Sequence, residues 1–281
     1  MKVVKTIKQV RQIIALQKKR GKRIGFVPTM GALHEGHLSL IRLAKKHSDF
    51  VVVSIFVNPT QFGPKEDYNK YPRNLKKDAA LCQSAGADLI FSPSPEEIYP
   101  KGFSTYVNVE GLTEGLCGAS RPGHFRGVAT VVSKLFNIVQ SDAAVFGQKD
   151  AQQLAVIRRM TKDLDLPVKI IGAPIVRERD GLAMSSRNRY LSLEERQQAV
   201  ALNGALLKAK QMAKSGQLKA DSIKREMVKL LKRDAPLGKI DYIEIVDKDA
   251  LEKINKIVVK KTLIALAIKF PSARLIDNIQ L

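Results

Sequence analysis

The 281-residue sequence has no tryptophan, two cysteines and only 6% aromatic residues. The two cysteines, Cys82 and Cys117, exclude a disulfide framework and leave no CxxC pair for a structural zinc site. Both read as free thiols of a reducing, cytoplasmic compartment. The scarcity of aromatics removes the stacking platforms on which single-stranded nucleic acids are held. Long apolar runs are missing too. The longest, Phe50–Val57, is interrupted by Ser54 and falls far short of the ~20 residues of a membrane span. Ile13–Leu16 is shorter than the apolar stretch of a secretory signal, about 7–15 residues. The expectation is a cytoplasmic protein with no membrane partner.

Acidic residues are outnumbered. There are 48 Lys/Arg against 27 Asp/Glu, a formal charge of +21. A basic chain invites a nucleic-acid reading, but the excess is spread out: 28 basic against 16 acidic residues over 1–180, and 20 against 11 over 181–281. One local bias exists, nine Lys/Arg and no acid in the first 23 residues. We read a cationic solvated surface that lends positive potential to anionic substrates, and expect no nucleic-acid partner. The apolar fraction of 44% is that of an ordinary globular protein. The length suits one large domain or two modest ones.

Val3, Ile7, Val10 and Ile14 fall at helical spacing and predict an opening amphipathic helix. Strands follow at Arg23–Pro28, Phe50–Val57, Asp88–Phe91, Ala143–Phe146 and Val168–Ile171. Helices alternate with them at Gly36–His47, Arg73–Ala85, Phe125–Gln140 and Asp150–Leu164, and Ser92–Gly102 reads as a Pro-rich loop. Alternation of this kind predicts βαβ units and a Rossmann-like parallel sheet covered on both faces. Ligands of such sheets sit outside the carboxyl ends of the strands. The pattern changes near Ile175–Asp180. Two long polar helices, Leu193–Ser215 and Ala220–Arg233, precede three strand-like runs at Tyr242–Val246, Ile257–Val259 and Leu263–Ile268. The fold class expected is α/β with a smaller C-terminal α+β domain, divided as 1–176 and 177–281.

The loop after the first predicted long strand reads Pro28-Thr29-Met30-Gly31-Ala32-Leu33-His34-Glu35-Gly36-His37. A glycine-containing turn into a helix N-terminus suits an anion, because unbonded N–H groups and the helix dipole face it. Two histidines at i, i+3 add imidazole donors that stabilise charge building on a phosphate. A HExxH zinc site needs i, i+4 instead. Further along, Asn58-Pro59-Thr60-Gln61-Phe62 offers a glutamine that both donates and accepts. Arg121-Pro122-Gly123-His124-Phe125 is a basic loop. In Gly147-Gln148-Lys149-Asp150 a lysine opens a helix, where the dipole disfavours a cation, and Gln153 lies one turn along. Met184-Ser185-Ser186-Arg187 supplies hydroxyls and a guanidinium suited to polyphosphate.

The HxGH element resembles that of the nucleotidyltransferase and class I aminoacyl-tRNA synthetase superfamily. The string Pro28–His37, with the later segments in the same order and spacing, resembles the pantothenate synthetase (pantoate–β-alanine ligase) family over nearly the whole chain. Tyr71-Pro72-Arg73 and the ending Ala273-Arg274-Leu275-Ile276-Asp277-Asn278 match as well, the latter with a structural role. The resemblance implies an ATP-dependent condensation of pantoate with β-alanine through a pantoyl adenylate, releasing AMP and pyrophosphate. It implies ATP as substrate, with Mg²⁺ on its phosphates, and a homodimer formed through the first domain.

By that resemblance ATP is bound by Met30, Gly31, Ala32, Leu33, His34, Glu35, Gly36 and His37, by Gly147, Gln148, Lys149 and Asp150, by the backbone of Val176, and by Met184, Ser185, Ser186 and Arg187. His37, His34 and Lys149 are the catalytic candidates. Gln61 and Gln153 bind pantoate, with Asn58 beside them and Arg121 anchoring an anionic group. The second domain is expected to act as a lid. The first motif taken alone leaves a second reaction open, nucleotidyl transfer to a phosphorylated acceptor.

Overall fold

The structure is a computed structural model and describes residues 1–64 and 66–281. The chain enters on β1 (Lys2–Val4) and α1 (Ile7–Lys19), and continues through β2 (Ile24–Thr29), α2 (Glu35–His47), β3 (Phe50–Ile55), α3 (Leu75–Ser84), β4 (Leu89–Phe91) and α4 (Pro95–Ile98). Then come α5 (Leu116–Ser120), α6 (His124–Val139), β5 (Ala143–Gly147), α7 (Ala151–Asp163) and β6 (Lys169–Ala173). Helices α8 (Leu193–Ala199), α9 (Ala201–Lys214) and α10 (Ala220–Asp234) precede strands β7 (Lys239–Asp247), β8 (Thr262–Lys269) and β9 (Arg274–Gln280).

Two compact units are formed. One comprises Met1–Glu110, Arg121–Gln148 and Val156–Pro174; the other comprises Gly111–Ser120, Lys149–Ala155 and Ile175–Leu281. The first unit holds a six-stranded, all-parallel sheet in the order β1-β4-β3-β2-β5-β6. Strand β3 is nearly continuous in apolar residues, broken only by Ser54, because it is covered on both faces; Val51, Val52 and Val53 are fully buried. On one face Val27, Val51, Val53 and Ile90 pack with Leu40, Ile41 and Cys82 of α2 and α3. On the other, Phe26 and Phe146 meet Phe136 of α6 edge-on, each at 6.3 Å between ring centres. From β2 the chain steps outward to β3 and β4, then returns to the other side of β2 for β5 and β6. The carboxyl ends of β2 and β5 therefore flank a topological switch point, where loops diverge and leave a crevice.

Two local expectations fail in this unit. Val3 belongs to an edge strand, not to the first helix. It pairs with Ile90 of β4 and its side chain is exposed. The helix begins only after Thr6, whose hydroxyl accepts from the Gln9 N–H in a capping box, and it buries Val10, Ile14 and Gln17. The Pro-rich segment after β4 contains the helical turn α4, capped by Ser94.

The second unit is an antiparallel sheet, β7-β8-β9, packed by α9 and α10. Leu202, Leu206, Ile223, Met227 and Leu231 bury against Ile243, Ile264, Leu266 and Ile268. Ile257–Val259 is not a strand. Ile257 drops into the core, whereas Val258 and Val259 lie exposed on the turn into β8. The third strand is β9, which the sequence patterning does not single out because Asp277 and Asn278 interrupt its apolar residues. The long polar helix expected over Leu193–Ser215 is divided at Val200. Among the described residues no helix is long and apolar enough to cross a membrane.

Candidate active site

In the first unit the loop between β2 and α2 is built to hold two imidazoles. Thr29 ends β2 and its hydroxyl donates to the Ser54 carbonyl at 2.8 Å. Gly31 and Ala32 both take left-handed conformations (φ 85° and 51°). A Cβ at Gly31 would stand 2.9 Å from an Asp78 oxygen and 3.1 Å from Ile55, so the position needs glycine on two grounds. Asp78, 3% exposed on α3, accepts the N–H groups of Ala32 (3.0 Å) and Leu33 (2.9 Å). This carboxylate grips the turn from behind. Burial and the nearby Asp78 charge push the Cys82 thiol up to about 12, so it stays protonated.

His34 is the N-cap of α2 and His37 its third residue. Nδ1 of His34 accepts from the Gly36 N–H (3.2 Å), and Nδ1 of His37 accepts from the His34 N–H (3.4 Å). The two rings form a reciprocal capping box, 4.2 Å between centres. With Nδ1 accepting, each neutral ring carries its proton on Nε2. The pair thus presents two Nε2–H donors at a helix N-terminus, a polarity suited to phosphate oxygens. Glu35 points elsewhere, pairing with Arg42; that bond holds its carboxyl below the usual range.

The segment after β3 is held just as closely. Asn58 is 1% exposed. Its amide donates to Gln61 (3.2 Å) and to the Gly127 carbonyl (3.1 Å), and its oxygen accepts from Thr60 and from the Tyr99 hydroxyl (2.8 Å). Asn58, expected beside pantoate, has its amide bonded to protein groups, because the short turn Pro59–Gln61 needs an internal partner for its polar groups. Gln61 is buried, and its amide contacts the Met30 sulfur at 2.8 Å, which links this loop to the first one. Helix α6 lies against the turn so closely that a Cβ on Gly127 would stand 2.3 Å from the Thr60 carbonyl.

Arg121, the expected anion anchor, is engaged by protein groups in the first unit. Its guanidinium is bidentate to Glu66 (2.6 and 2.8 Å), reaches His124 Nε2 at 2.9 Å and donates to the Gln61 carbonyl at 3.3 Å. His124 Nδ1 donates to the same carbonyl at 2.8 Å. Burial pushes the Glu66 pKa up, but the Arg121 hydrogen bonds and charge, the Gly63 N–H and the nearby His124 together outweigh it and hold the carboxyl low. A planar guanidinium matched to a carboxylate explains the arrangement. Arg121 shapes the Gln61 loop from outside.

The second unit carries the other expected residues. Lys149 and Asp150 form the helical turn that opens α7, with Gln153 one turn further; Lys149 and Gln153 are half-buried and Asp150 is exposed. Between them Gln152 is buried and faces away, donating to the carbonyls of Leu112 (2.9 Å) and Gly115 (2.8 Å) and accepting from the Cys117 N–H (2.9 Å). The Lys149 carbonyl accepts from the Asn278 amide at 2.9 Å. Val176 and Met184 face each other across a tight hairpin, N–H of Met184 to O of Val176 at 3.0 Å. Ser185 caps the helical turn Ser186–Tyr190, its hydroxyl accepting from the Arg187 N–H at 3.2 Å. Gly147 and Gln148 close β5 in the first unit, Gly147 in register with Ala173.

Several positioning residues escape sequence reading: Asp78, Glu66, His124 and Gln152. Asp78 looks like an ordinary first-turn acid of α3, and only its burial shows otherwise.

A family profile described as pantoate–β-alanine ligase matches residues 2–280. The pantothenate synthetase of Acetivibrio thermocellus is 55% identical over 279 residues, covering 99% of either chain. That of Caldicellulosiruptor bescii is 58% identical over 279 residues, covering 99% of this chain and 98% of its own. Among solved structures, the pantothenate synthetase of Thermus thermophilus superposes with a TM-score of 0.94 at 49% identity, over 100% of this chain and 99% of that one. The pantoate–β-alanine ligase of Francisella tularensis, complexed with an ATP ligand and β-alanine, gives 0.82 at 35% identity, over 100% and 97%.

Proposed function

The chain belongs to the pantoate–β-alanine ligase family, and from that premise we propose how its residues join pantoate to β-alanine at the expense of ATP. It is an amide-forming ligase. The pantoate carboxylate attacks the α-phosphorus of ATP, pyrophosphate leaves, and pantoyl adenylate forms. The β-alanine amine then attacks the activated carbonyl, giving pantothenate and AMP. No protein nucleophile enters either step, so the rate enhancement comes from positioning and charge stabilisation.

The observation that carries this reading is the reciprocal capping of His34 and His37, each ring accepting a backbone N–H at Nδ1, at the switch point of the sheet. Their Nε2–H groups bind phosphate oxygens as negative charge develops, and His37 donates toward the leaving group. The backbone from Met30 to Gly36 lies along the nucleotide. In this proposal Lys149, Ser185, Ser186 and Arg187 neutralise the triphosphate, which enters as its Mg²⁺ complex. Gly147, Gln148, Asp150, Val176 and Met184 complete the nucleotide contacts. Gln61 and Gln153 hold pantoate through amides that both donate and accept. Asn58 and Arg121 act one step back, by fixing Gln61. The homodimer, the cytoplasmic setting and closure by the C-terminal residues belong to the same proposal. With family membership established, nucleotidyl transfer to a phosphorylated acceptor has no observation in its favour.

The test is pyrophosphate release from ATP and Mg²⁺ with pantoate, with and without β-alanine, alongside AMP. Pantoate-dependent release, with sustained AMP and pantothenate only when β-alanine is added, is the expected result. Release that ignores pantoate would sink the adenylate route.

A further inference from the structure

Strand β9 carries two adjacent buried polar residues within an otherwise apolar run, Asp277 (2% exposed) and Asn278 (4%). Adjacent strand residues point to opposite faces, and these two reach different elements of the same unit. Asp277 takes Arg177 in a bidentate pair, Nη1 at 2.7 Å and Nη2 at 2.9 Å. Arg177 also donates to the Gly181 carbonyl at 3.0 Å, and it bridges Ala183 across the hairpin. The pair therefore fixes the hairpin from which Met184–Arg187 emerge. Asn278, on the other side, donates to the Lys149 carbonyl at 2.9 Å. An Asp277 oxygen accepts the Asn278 N–H at 2.8 Å, which couples the two anchors.

Stability alone does not account for this arrangement. A buried ion pair is often no more stabilising than an apolar pair of the same volume, and β9 would extend its apolar core if both positions were aliphatic. What the polar pair adds is a fixed spacing between two segments distant in sequence.

We propose that Asp277 and Asn278 are positioning residues for the nucleotide: they set the distance between the Ser185–Arg187 turn and the Lys149 main chain so that both grip one triphosphate. The inference rests on the reading that these segments bind ATP phosphates. It differs from a merely structural role in which constant it moves. A loosened spacing weakens ATP binding. It leaves β-alanine untouched, because pyrophosphate has left before the amine reacts.

The experiment compares Asn278→Ala, Asn278→Gln and Arg177→Lys with the wild-type enzyme, measuring kcat and both KM values together with thermal unfolding. A lost hydrogen bond of this kind corresponds to about tenfold in affinity. The KM for ATP is expected to rise by that factor in Asn278→Ala and Arg177→Lys, with the KM for β-alanine unchanged. Asn278→Gln, which keeps an amide donor, should recover part of the loss. Should Asn278→Ala fail to fold, Arg177→Lys, which keeps its charge opposite Asp277, decides the matter. A folded variant with a lowered kcat and an unchanged KM for ATP would overturn the proposal. A wild-type enzyme without pantoate-dependent pyrophosphate release would instead sink the functional reading, and this inference with it.

Discussion

Replacing Asp78 by asparagine asks whether the histidine-bearing turn is held from behind. The carboxylate accepts two buried backbone N–H groups, from Ala32 and Leu33. Asparagine has nearly the same shape, but only its Oδ1 accepts, so one N–H is left facing an amide NH₂. A hydrogen bond to a charged acceptor is worth about 1.5–3 kcal/mol, and a buried donor without a partner costs about 1–3 kcal/mol. The substitution removes one such bond and neutralises the acceptor of the other, which places the loss at roughly 2–4 kcal/mol. At about 2–4 °C per kcal/mol for a unit of this size, the unfolding midpoint falls by roughly 4–16 °C. The turn has a further reason to relax. Ala32 sits at φ 51°, a conformation that costs an L-residue roughly 1–2 kcal/mol, and the Asp78 bond to its N–H helps keep it there. Released, the turn carries His34 and His37 out of line, and a displacement of about 1 Å costs about 100-fold in rate. Calorimetry gives the midpoint, and pantoate-dependent pyrophosphate release well below that midpoint gives the rate. An unchanged midpoint with an unchanged rate would refute the reasoning. A lowered midpoint with a normal rate would show that Asp78 supports the fold without governing the histidines.

Two further outcomes are expected. His37→Ala should lower kcat for pyrophosphate release by about 10²–10⁴-fold with a midpoint fall of only about 2–4 °C, since the half-exposed ring gives up one cap bond to the His34 N–H but opens no core cavity; near-normal turnover would remove His37 from the mechanism. Asp241, in the second unit, receives Lys269 (2.6 Å), Arg274 (2.8 Å) and Ser120 (2.8 Å). Burial raises its pKa, but those partners outweigh burial and hold it below the unfolded value. Its contribution is therefore fully present above the ordinary aspartate value, about 3.9, and is lost as pH falls through the depressed one. Midpoints measured from neutral pH downward should show Asp241→Asn less stable than wild type at neutrality, with the gap closing in acid; parallel curves would contradict this.

The parallel sheet was legible because its strands are short, β-branched and separated by amphipathic helices, as Phe50–Ile55 between α2 and α3 shows. The HxGH turn was legible because chemistry and local geometry coincide there: Gly31, the cap and both imidazoles lie within seven residues, Gly31–His37. Where apolar spacing was the only guide, it misled. Val3 fits a helical stripe by number, yet a three-residue edge strand claims it because β4 offers unpaired backbone groups beside it. Ile257–Val259 is β-branched, yet only Ile257 is buried, and Val258 and Val259 turn outward.

Roles that depend on a distant partner were not readable at all. Nothing local to Arg121 announces Glu66, 55 residues earlier, as the partner of its guanidinium. Nor does anything local to Asn58 announce Tyr99 and the Gly127 carbonyl as partners of its amide. The ending Arg274–Asn278 reads as structural filler until Asp277 and Asn278 are seen to hold Arg177 and Lys149, residues 100 and 129 positions away.

Sequence by itself determined which residues can do phosphate chemistry, because imidazole, lysine and hydroxyl groups at strand-to-helix turns carry that capacity locally. Tertiary structure decided which of them are available for it. A polar side chain in a folded protein is claimed by whichever buried partner reaches it first, since an unmet hydrogen bond there costs more than a solvated one. Only the completed fold brings Asp78 to the turn, Glu66 to Arg121 and Asn278 to Lys149.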